Sequence, residues 1–194
     1  MHAQLYLASR SPRRAEFLRQ LGLRFEVLSA DVTEQPAPGQ SPADYALAVA
    51  LAKAHAAAAL ASVPLPVLAA DTDVAVDGEI LGKPRGKDEA LAMLARLSNR
   101  EHQVCSAVAV LSGGRVDTAL TVTRVRFGRI DPRQAAAYWD SGEPADKAGA
   151  YAVQGYAARW VRSLEGSYTG VVGLPLYETC ELLERCGLHL GAGA

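Results

Sequence analysis

The chain has 194 residues, a formal net charge of −1, 49% hydrophobic residues and 21% charged residues. This balance is typical of a folded globular protein and lacks the basic excess of a general nucleic-acid or membrane-surface binder, so we expect neither partner. No apolar run approaches the ~18 residues of a membrane span, and the first residues do not resemble a signal peptide. Three cysteines without a CxxC or zinc spacing are typical of a reducing compartment, which predicts a cytoplasmic location.

The first motif along the chain is Ser-Arg-Ser-Pro-Arg-Arg at positions 9–14. Ser11 is suited to the N-cap of a helix and Pro12 to its first position. Arg13 and Arg14 then lie in the first helical turn, where the helix dipole disfavours cations but favours a bound anion. The motif is compatible with a phosphate site. It is equally compatible, taken alone, with a capped helix that carries solvated arginines.

The rest of the chain alternates between strand-like and helix-like segments, with two hairpin turns at Asp77-Gly78 and Gly113-Gly114. Strands are predicted at 5–8, 24–28, 66–70, 74–76, 79–81, 103–111, 118–127, 151–153 and 158–164. Helices are predicted at 12–21, 42–61, 87–97, 132–140 and 174–186, the second of them opened by a capping box at Ser41. Since βα units and hairpins both occur, we expect a single α/β domain over residues 1–194 with a mixed sheet.

Several charged side chains stand where strands and loops meet, which is where active sites concentrate. Asp71 directly follows a buried strand, and the alternation of side chains places Asp73 on the same face and Thr72 on the other. Lys83 follows the hairpin, between a glycine and a proline. Lys53 lies in an alanine-rich helix, a position that usually faces solvent. Lysines, arginines and carboxylates in this combination are the components of metal-assisted phosphoryl chemistry.

Six motifs at compatible spacing closely resemble those of the Maf family of nucleoside triphosphate pyrophosphatases, over nearly the whole chain. They are residues 9–14, Ala70-Asp71-Thr72, Leu81-Gly82-Lys83-Pro84, residues 146–151, Gln154-Gly155, and Gly166-Ser167-Tyr168 with residues 172–176. The resemblance implies an α/β fold, with a mixed twisted sheet flanked by helices and two lobes around a deep cleft, similar to inosine triphosphate pyrophosphatases. It also implies cleavage of a nucleoside triphosphate between the α and β phosphates, a divalent cation, and a homodimer.

The resemblance assigns roles to individual residues. Asp71 matches the catalytic carboxylate that accepts a proton from the attacking water, and it shares with Glu34 the position of a Mg²⁺ or Mn²⁺ ligand. The positions that surround the triphosphate are matched by Ser9, Arg13, Arg14, Lys53 and Lys83.

Base recognition divides the family, and this chain resembles the dTTP/UTP subgroup, which removes unwanted pyrimidine nucleotides from the pool. The subgroup that hydrolyses 7-methyl-GTP inserts a tryptophan beside its arginine pair and has Gln and Glu at the positions of Thr72 and Gln154. Here Pro12 is followed directly by Arg13. An amide such as that of Gln154 matches the single donor and flanking acceptors of uracil and thymine, whereas a carboxylate matches the two donors of guanine.

Two other functions stay open at this point: the same chemistry on 7-methyl-GTP, and a non-catalytic, nucleotide-binding regulator of septation. Two residues also depart from the family pattern. Asp73 replaces an apolar residue, and either joins the metal site, or raises the pKa of Asp71, or faces solvent, which is the interpretation we favour. Arg10 replaces a small residue, and either contacts phosphate or points outward. Tyr138 and Trp160 are interpreted as core or subunit-contact aromatics.

Overall fold

The computed structural model describes residues 2–190. Over these residues the strands are β1 (Leu5–Leu7), β2 (Phe25–Val27), β3 (Val67–Val76), β4 (Glu79–Leu81), β5 (Glu101–Ser112), β6 (Arg115–Phe127) and β7 (Val161–Glu165). The α-helices are α1 (Pro12–Gln20), α2 (Pro42–Ala58), α3 (Lys87–Leu97), α4 (Pro132–Asp140), α5 (Tyr168–Val172) and α6 (Leu176–Arg185). Short 3-10 helices span Ala148–Ala150 and Tyr156–Trp160.

The strands form one seven-stranded mixed sheet in the order β2-β1-β3-β5-β6-β7, with β4 paired to β3. β1 runs parallel to both β2 and β3, so α1 and α2 are crossover helices of two successive βαβ units. The pairs β3–β4 and β6–β7 are antiparallel. The predicted α/β fold with a mixed sheet and flanking helices is confirmed.

The chain divides into two compact units. The first contains residues up to Asp71, Ser106–Leu120 and the chain from Gly173 onward, and the second contains Thr72–Cys105 and Thr121–Val172. In the first unit, α1 and α6 pack against β1, β3 and β5 through an aliphatic cluster that includes the fully buried Leu18 and Leu183. Burial of such a leucine stabilises the fold by roughly 1.5–3 kcal/mol. No helix within residues 2–190 is both long enough and apolar enough to cross a bilayer.

Helix starts agree well with the sequence because the capping residues specify them. The Ser41 hydroxyl accepts a hydrogen bond from the Asp44 amide at 3.1 Å, and the Asp131 carboxylate caps α4 by accepting from the Arg133 amide at 2.8 Å. The helix ends agree less well. α2 stops at Ala58 rather than at residue 61, because its last turn tightens into 3-10 hydrogen bonds such as that from Leu60 to Ala57.

The largest correction concerns the strand that carries Asp71. We expected Asp71 to follow a strand that ends at residue 70, but β3 runs unbroken over ten residues and Asp71 lies in its middle. Asp71 and Asp73 are both 8% exposed, while Thr72 between them is half-buried. In the sequence, a carboxylate after an apolar run resembles the end of a strand. The hydrophobic pattern does not show that a distant side chain pairs with the carboxylate and so allows the strand to continue.

The sequence was also wrong about the segments after α4. Residues 151–153 were predicted as a strand, but they do not form one. They follow a 3-10 helix in which Gly149 has φ +66°. Gly149 lies so close to Val74 that a Cβ atom there would stand 2.9 Å from the valine side chain. Residues 158–164 divide into a 3-10 helix and β7. The short helix α5 was missed. In α5, the Gly170 amide donates to the Ser167 hydroxyl at 3.0 Å, a local capping bond.

A buried histidine lies at the centre of the second unit. His102 is 2% exposed and makes edge-to-face contacts with Phe127 and Tyr151 at ring-centroid distances of 4.9 and 5.4 Å. Its Nε2 lies 2.8 Å from the Tyr151 hydroxyl, and its Nδ1 has no hydrogen-bond partner among residues 2–190. Burial lowers the pKa of His102 from 6.5 to about 4, since a charged ring would bring an unpaired N–H into the core.

This burial predicts a specific pH dependence of stability. Because the pKa of His102 is lower in the folded state than in the unfolded state, its neutral form imposes no penalty above pH 6.5, and stability is lost as the pH falls towards 4. We expect this single group to remove about 3 kcal/mol from the free energy of unfolding across that window. Urea unfolding of wild type and His102→Asn between pH 8 and pH 4 measures the difference in slope. Identical slopes in the two proteins would contradict the assignment.

Candidate active site

The first unit holds an ammonium group between two carboxylates. The Nζ atom of Lys53 lies 2.7 Å from Oδ1 of Asp71 and 2.7 Å from Oε1 of Glu34. The side chains of Lys53 and Asp71 are 16% and 11% exposed, and that of Glu34 is 45% exposed. A helix (α2), a strand (β3) and the loop after β2 therefore meet at one shared charge. The sequence predicted all three as site residues, but it gave no reason for their contact with one another.

The position of Lys53 on α2 explains why its side chain is largely withdrawn from solvent. Val49 lies four residues before it and Ala57 four residues after it, so all three residues lie along one stripe of the helix. Val49 and Ala57 are 4% and 0% exposed. Lys53 therefore projects from the buried face of α2, and its stem packs there while the ammonium reaches the carboxylates. The expectation that a lysine in this alanine-rich helix faces solvent is wrong.

Arg14 is fixed by two segments that are distant in sequence. Its Nε donates to the Gly173 carbonyl at 2.7 Å, and its Nη1 donates to the Ser9 hydroxyl at 3.1 Å. The same hydroxyl accepts from the Ser11 amide at 3.2 Å, whereas the Ser11 side chain makes no capping bond, although the residue occupies the N-cap position. The guanidinium is thus held before any ligand arrives. Gly173 lies in one of the six motifs, but the sequence did not predict that its carbonyl would accept a hydrogen bond from Arg14.

The other predicted phosphate contacts are half-buried or exposed. Arg13 lies beside Arg14 in the first turn of α1 and is half-buried. Arg10 is exposed and pairs with Asp31 at 2.7 Å, so the outward orientation is the one observed. Lys83 is exposed in the loop after β4 and belongs to the second unit.

Of the residues predicted to select the base, Thr72 and Gln154 belong to the second unit, whereas Arg13 belongs to the first. Thr72 is half-buried on β3, and Gln154 is exposed in the turn that precedes the second 3-10 helix. Asp73 is buried, so the solvent-facing interpretation is wrong. The Cys105 thiol has its pKa raised to about 11, chiefly by burial and further by the negative charge of Asp73.

The carboxylates of Glu34 and Asp71 suit a hard divalent cation whose other ligands are water and substrate phosphates. Glu34 and Asp71 supply carboxylate oxygens that already face one positive charge. No group of three or more His, Cys, Asp or Glu side chains within residues 2–190 is arranged as a metal cage. Magnesium commonly binds through one or two carboxylates together with water and substrate phosphates, so two carboxylates fit this ion.

The shared ammonium predicts unequal effects of two matched substitutions. Lys53→Met leaves two facing carboxylates without their counter-ion, one of them buried, and we expect it to lower the free energy of unfolding by about 3 kcal/mol. The matched control is Lys87→Met, since Lys87 pairs with Asp140 at 2.6 Å with side chains 44% and 61% exposed. That change should cost less than about 1 kcal/mol. Urea unfolding at pH 7.5 measures both, and equal losses would contradict a buried role for the Lys53 ion pairs.

The chain is similar to known proteins over nearly its whole length. Residues 4–186 match the family described as Maf-like protein. The chain is 49% identical to a dTTP/UTP pyrophosphatase of Nitrosomonas europaea, with 96% of each chain covered, and 50% identical to one of Methylococcus capsulatus, with 98% and 96% covered. Among solved structures, a HAM1 protein from Coxiella burnetii matches 95% of this chain and 100% of its own, with 17% identity and a TM-score of 0.54, which concerns the fold alone. Because residues 4–186 match the family model, the chain belongs to the Maf family.

Proposed function

We propose that this protein hydrolyses dTTP and UTP to the nucleoside monophosphate and pyrophosphate. The observation that carries the proposal is the buried Asp71 carboxylate held against the Lys53 ammonium, in the unit that also contains the fixed guanidinium of Arg14. An oriented base together with fixed cations is what phosphoryl transfer requires. The names of the relatives, which are about half identical over nearly their full length, point to the same reaction.

In the proposed mechanism the Asp71 carboxylate accepts a proton from a water molecule as the water oxygen forms a bond to the α-phosphorus. The bond from that phosphorus to the bridging oxygen breaks, and pyrophosphate leaves with the electron pair. Lys53 orients Asp71 through the 2.7 Å contact to Oδ1. Arg13 and Arg14 neutralise the charge that develops on the leaving group, and the Ser9 hydroxyl holds Arg14 in place.

A divalent cation, Mg²⁺ or Mn²⁺, is part of the proposal. Glu34 and Asp71 are the residues that would hold it, because their oxygens are the donors that such ions prefer. When bound, the ion would stabilise negative charge on the phosphates and lower the pKa of a coordinated water. Lys53 contacts one oxygen of each carboxylate, so it holds the two side chains beside one another.

Selection of the pyrimidine base is assigned to Gln154 with Thr72 and Arg13. The amide of Gln154 is exposed and offers both a donor and an acceptor. A uracil or thymine edge can pair with both, whereas a mismatched base would leave a polar group without a partner, which costs roughly 1–3 kcal/mol. A cytoplasmic location, a homodimeric state, and the absence of nucleic-acid or membrane partners belong to the proposal as well, and sedimentation of the purified protein tests the dimer.

The catalytic part is tested by Asp71→Asn. We expect pyrophosphate release from dTTP, with magnesium or manganese present, to fall by about 10²–10⁴-fold, because an amide cannot accept the proton. The matched control is Asp140→Asn, an exposed aspartate in α4, which should keep wild-type turnover. Samples with EDTA report the dependence on the metal. If folded wild-type protein hydrolyses no nucleotide with either metal, the proposal that it is an enzyme is contradicted and a nucleotide-binding regulator is favoured.

The base-selection part is tested by Gln154→Glu. A carboxylate offers no donor to a pyrimidine carbonyl, so kcat/KM for dTTP and UTP should fall by about 10- to 100-fold. The panel is dTTP, UTP, CTP, GTP and 7-methyl-GTP, with wild type measured beside the variant. A wild-type preference for 7-methyl-GTP would overturn the assignment of the base while leaving the catalytic residues in place.

A further inference from the structure

The turn that carries Gln154 is anchored on both sides by two side chains that bond to each other. On one side, the Tyr138 hydroxyl accepts a hydrogen bond from the Ala152 amide at 3.0 Å. On the other side, the Glu143 carboxylate accepts from the Tyr156 amide, at 3.2 Å to Oε1 and 3.3 Å to Oε2. The Tyr138 hydroxyl donates to Oε1 of Glu143 at 2.6 Å, which links the two anchors. Gln154 lies two residues from each anchored amide.

The backbone of Gly155, the neighbour of Gln154, lies close to the same carboxylate. A Cβ atom at this position would stand 2.1 Å from Oε1 and 2.4 Å from Cδ of Glu143. The backbone there has φ −104°, which any residue can adopt. A side chain at this position would therefore displace the Glu143 carboxylate, which lies directly against the backbone of the turn.

Glu143 and Tyr138 are themselves held in place. The Glu143 amide donates to the Ser141 hydroxyl at 3.3 Å, and its carbonyl accepts from the Lys147 ammonium at 3.1 Å. Tyr138 is 2% exposed and stacks on Tyr156 with ring centroids 5.7 Å apart. The anchors thus belong to a packed part of the second unit, which restricts the conformations of the turn.

We propose that Glu143, through its link with Tyr138, is a positioning residue that sets the place of Gln154 for selection of the pyrimidine base. The inference rests on the proposed role of Gln154. Hydrogen bonds discriminate between bases only when the reading group is held to within a fraction of an ångström, so a loosened turn would let the amide adapt to the wrong edge. Glu143 makes this contribution without touching the nucleotide.

The conservative variant Glu143→Gln distinguishes a role of Glu143 as a hydrogen-bond acceptor from a role of its negative charge. Oε1 of Glu143 takes part in both the bond from Tyr138 and the bond from Tyr156. A glutamine with its carbonyl oxygen at that place keeps both contacts of Oε1 and loses only the second contact of the Tyr156 amide, the one to Oε2, whereas an alanine loses all three. Glu143→Gln should therefore retain base selection, and Glu143→Ala should lose it.

The experiment measures kcat/KM for UTP and CTP, with magnesium present, for five proteins: wild type, Glu143→Ala, Glu143→Gln, Gln154→Ala and the double alanine variant. We expect Gln154→Ala to lower the UTP/CTP ratio by about 10- to 100-fold, and Glu143→Ala to lower it by about tenfold or more. Glu143→Gln should stay within about threefold of wild type. The double variant should discriminate no worse than Gln154→Ala alone, because residues that act through one another are not additive.

Two further variants separate positioning from general stability. Asp131→Ala removes the N-cap of α4, so it should lower the unfolding midpoint and leave the UTP/CTP ratio unchanged. Tyr138→Phe keeps the ring but removes the hydroxyl that links both anchors. If the Glu143→Ala protein does not fold, Tyr138→Phe becomes the decisive variant. It should lower the ratio as Glu143→Ala does.

The outcomes are distinguishable. If Glu143→Ala lowers kcat/KM for both nucleotides equally, Glu143 is structural and the inference is overturned. If its effect on the ratio adds to that of Gln154→Ala, Glu143 acts independently of Gln154, which also overturns it. If Gln154→Ala leaves the ratio unchanged, the base-reading role within the proposed function fails first, and the positioning role falls with it.

Discussion

The arrangement of the first unit depends on one ammonium group that is shared by two carboxylates. Lys53 comes from a crossover helix, Asp71 from the middle of a strand and Glu34 from a loop, and each contact with the lysine measures 2.7 Å. Without the lysine, two like charges would face one another, one of them largely removed from water, where repulsion is weakly screened. The interaction therefore allows a strand to carry a buried acid in its centre and gives that acid a fixed orientation.

The residues proposed for phosphate chemistry and for base selection are organised by different kinds of contact. In the first unit, ion pairs and the hydrogen bonds of Arg14 hold charged groups that would act on phosphate. In the second unit, a neutral hydroxyl and a carboxylate hold the backbone on both sides of Gln154. Lys53 and Asp71 are thus oriented by opposite charges and Arg14 by neutral acceptors, whereas Gln154, which is proposed to read the base, lies between two backbone amides that are held by hydrogen bonds. Each device matches the chemistry assigned to it.

The sequence predicted the elements whose ends are marked by capping residues, and it failed where tertiary contacts decide. The bounds of α4, which Asp131 caps, were predicted correctly. Those of α3 were also correct, although its N-cap is Gly86, which has no side chain to form a capping bond. The continuity of β3 through Asp71 was not, because the compensating charge comes from a residue 18 positions earlier. Likewise, the sequence did not indicate a role for Glu143, since that role depends on a contact with Tyr156, 13 residues later. Motifs located the candidate site, but only the folded chain pairs Lys53 with its two acids.

The measurement that tests the account most directly is hydrolysis of dTTP in ¹⁸O-labelled water with magnesium, followed by mass analysis of both products. If Asp71 directs water to the α-phosphorus, the label should appear in the thymidine monophosphate, and the released pyrophosphate should carry none. Label in pyrophosphate would place the attack on the β-phosphorus. Release of orthophosphate with thymidine diphosphate would mean that the bond between the β and γ phosphates breaks, and either result would contradict the proposed reaction.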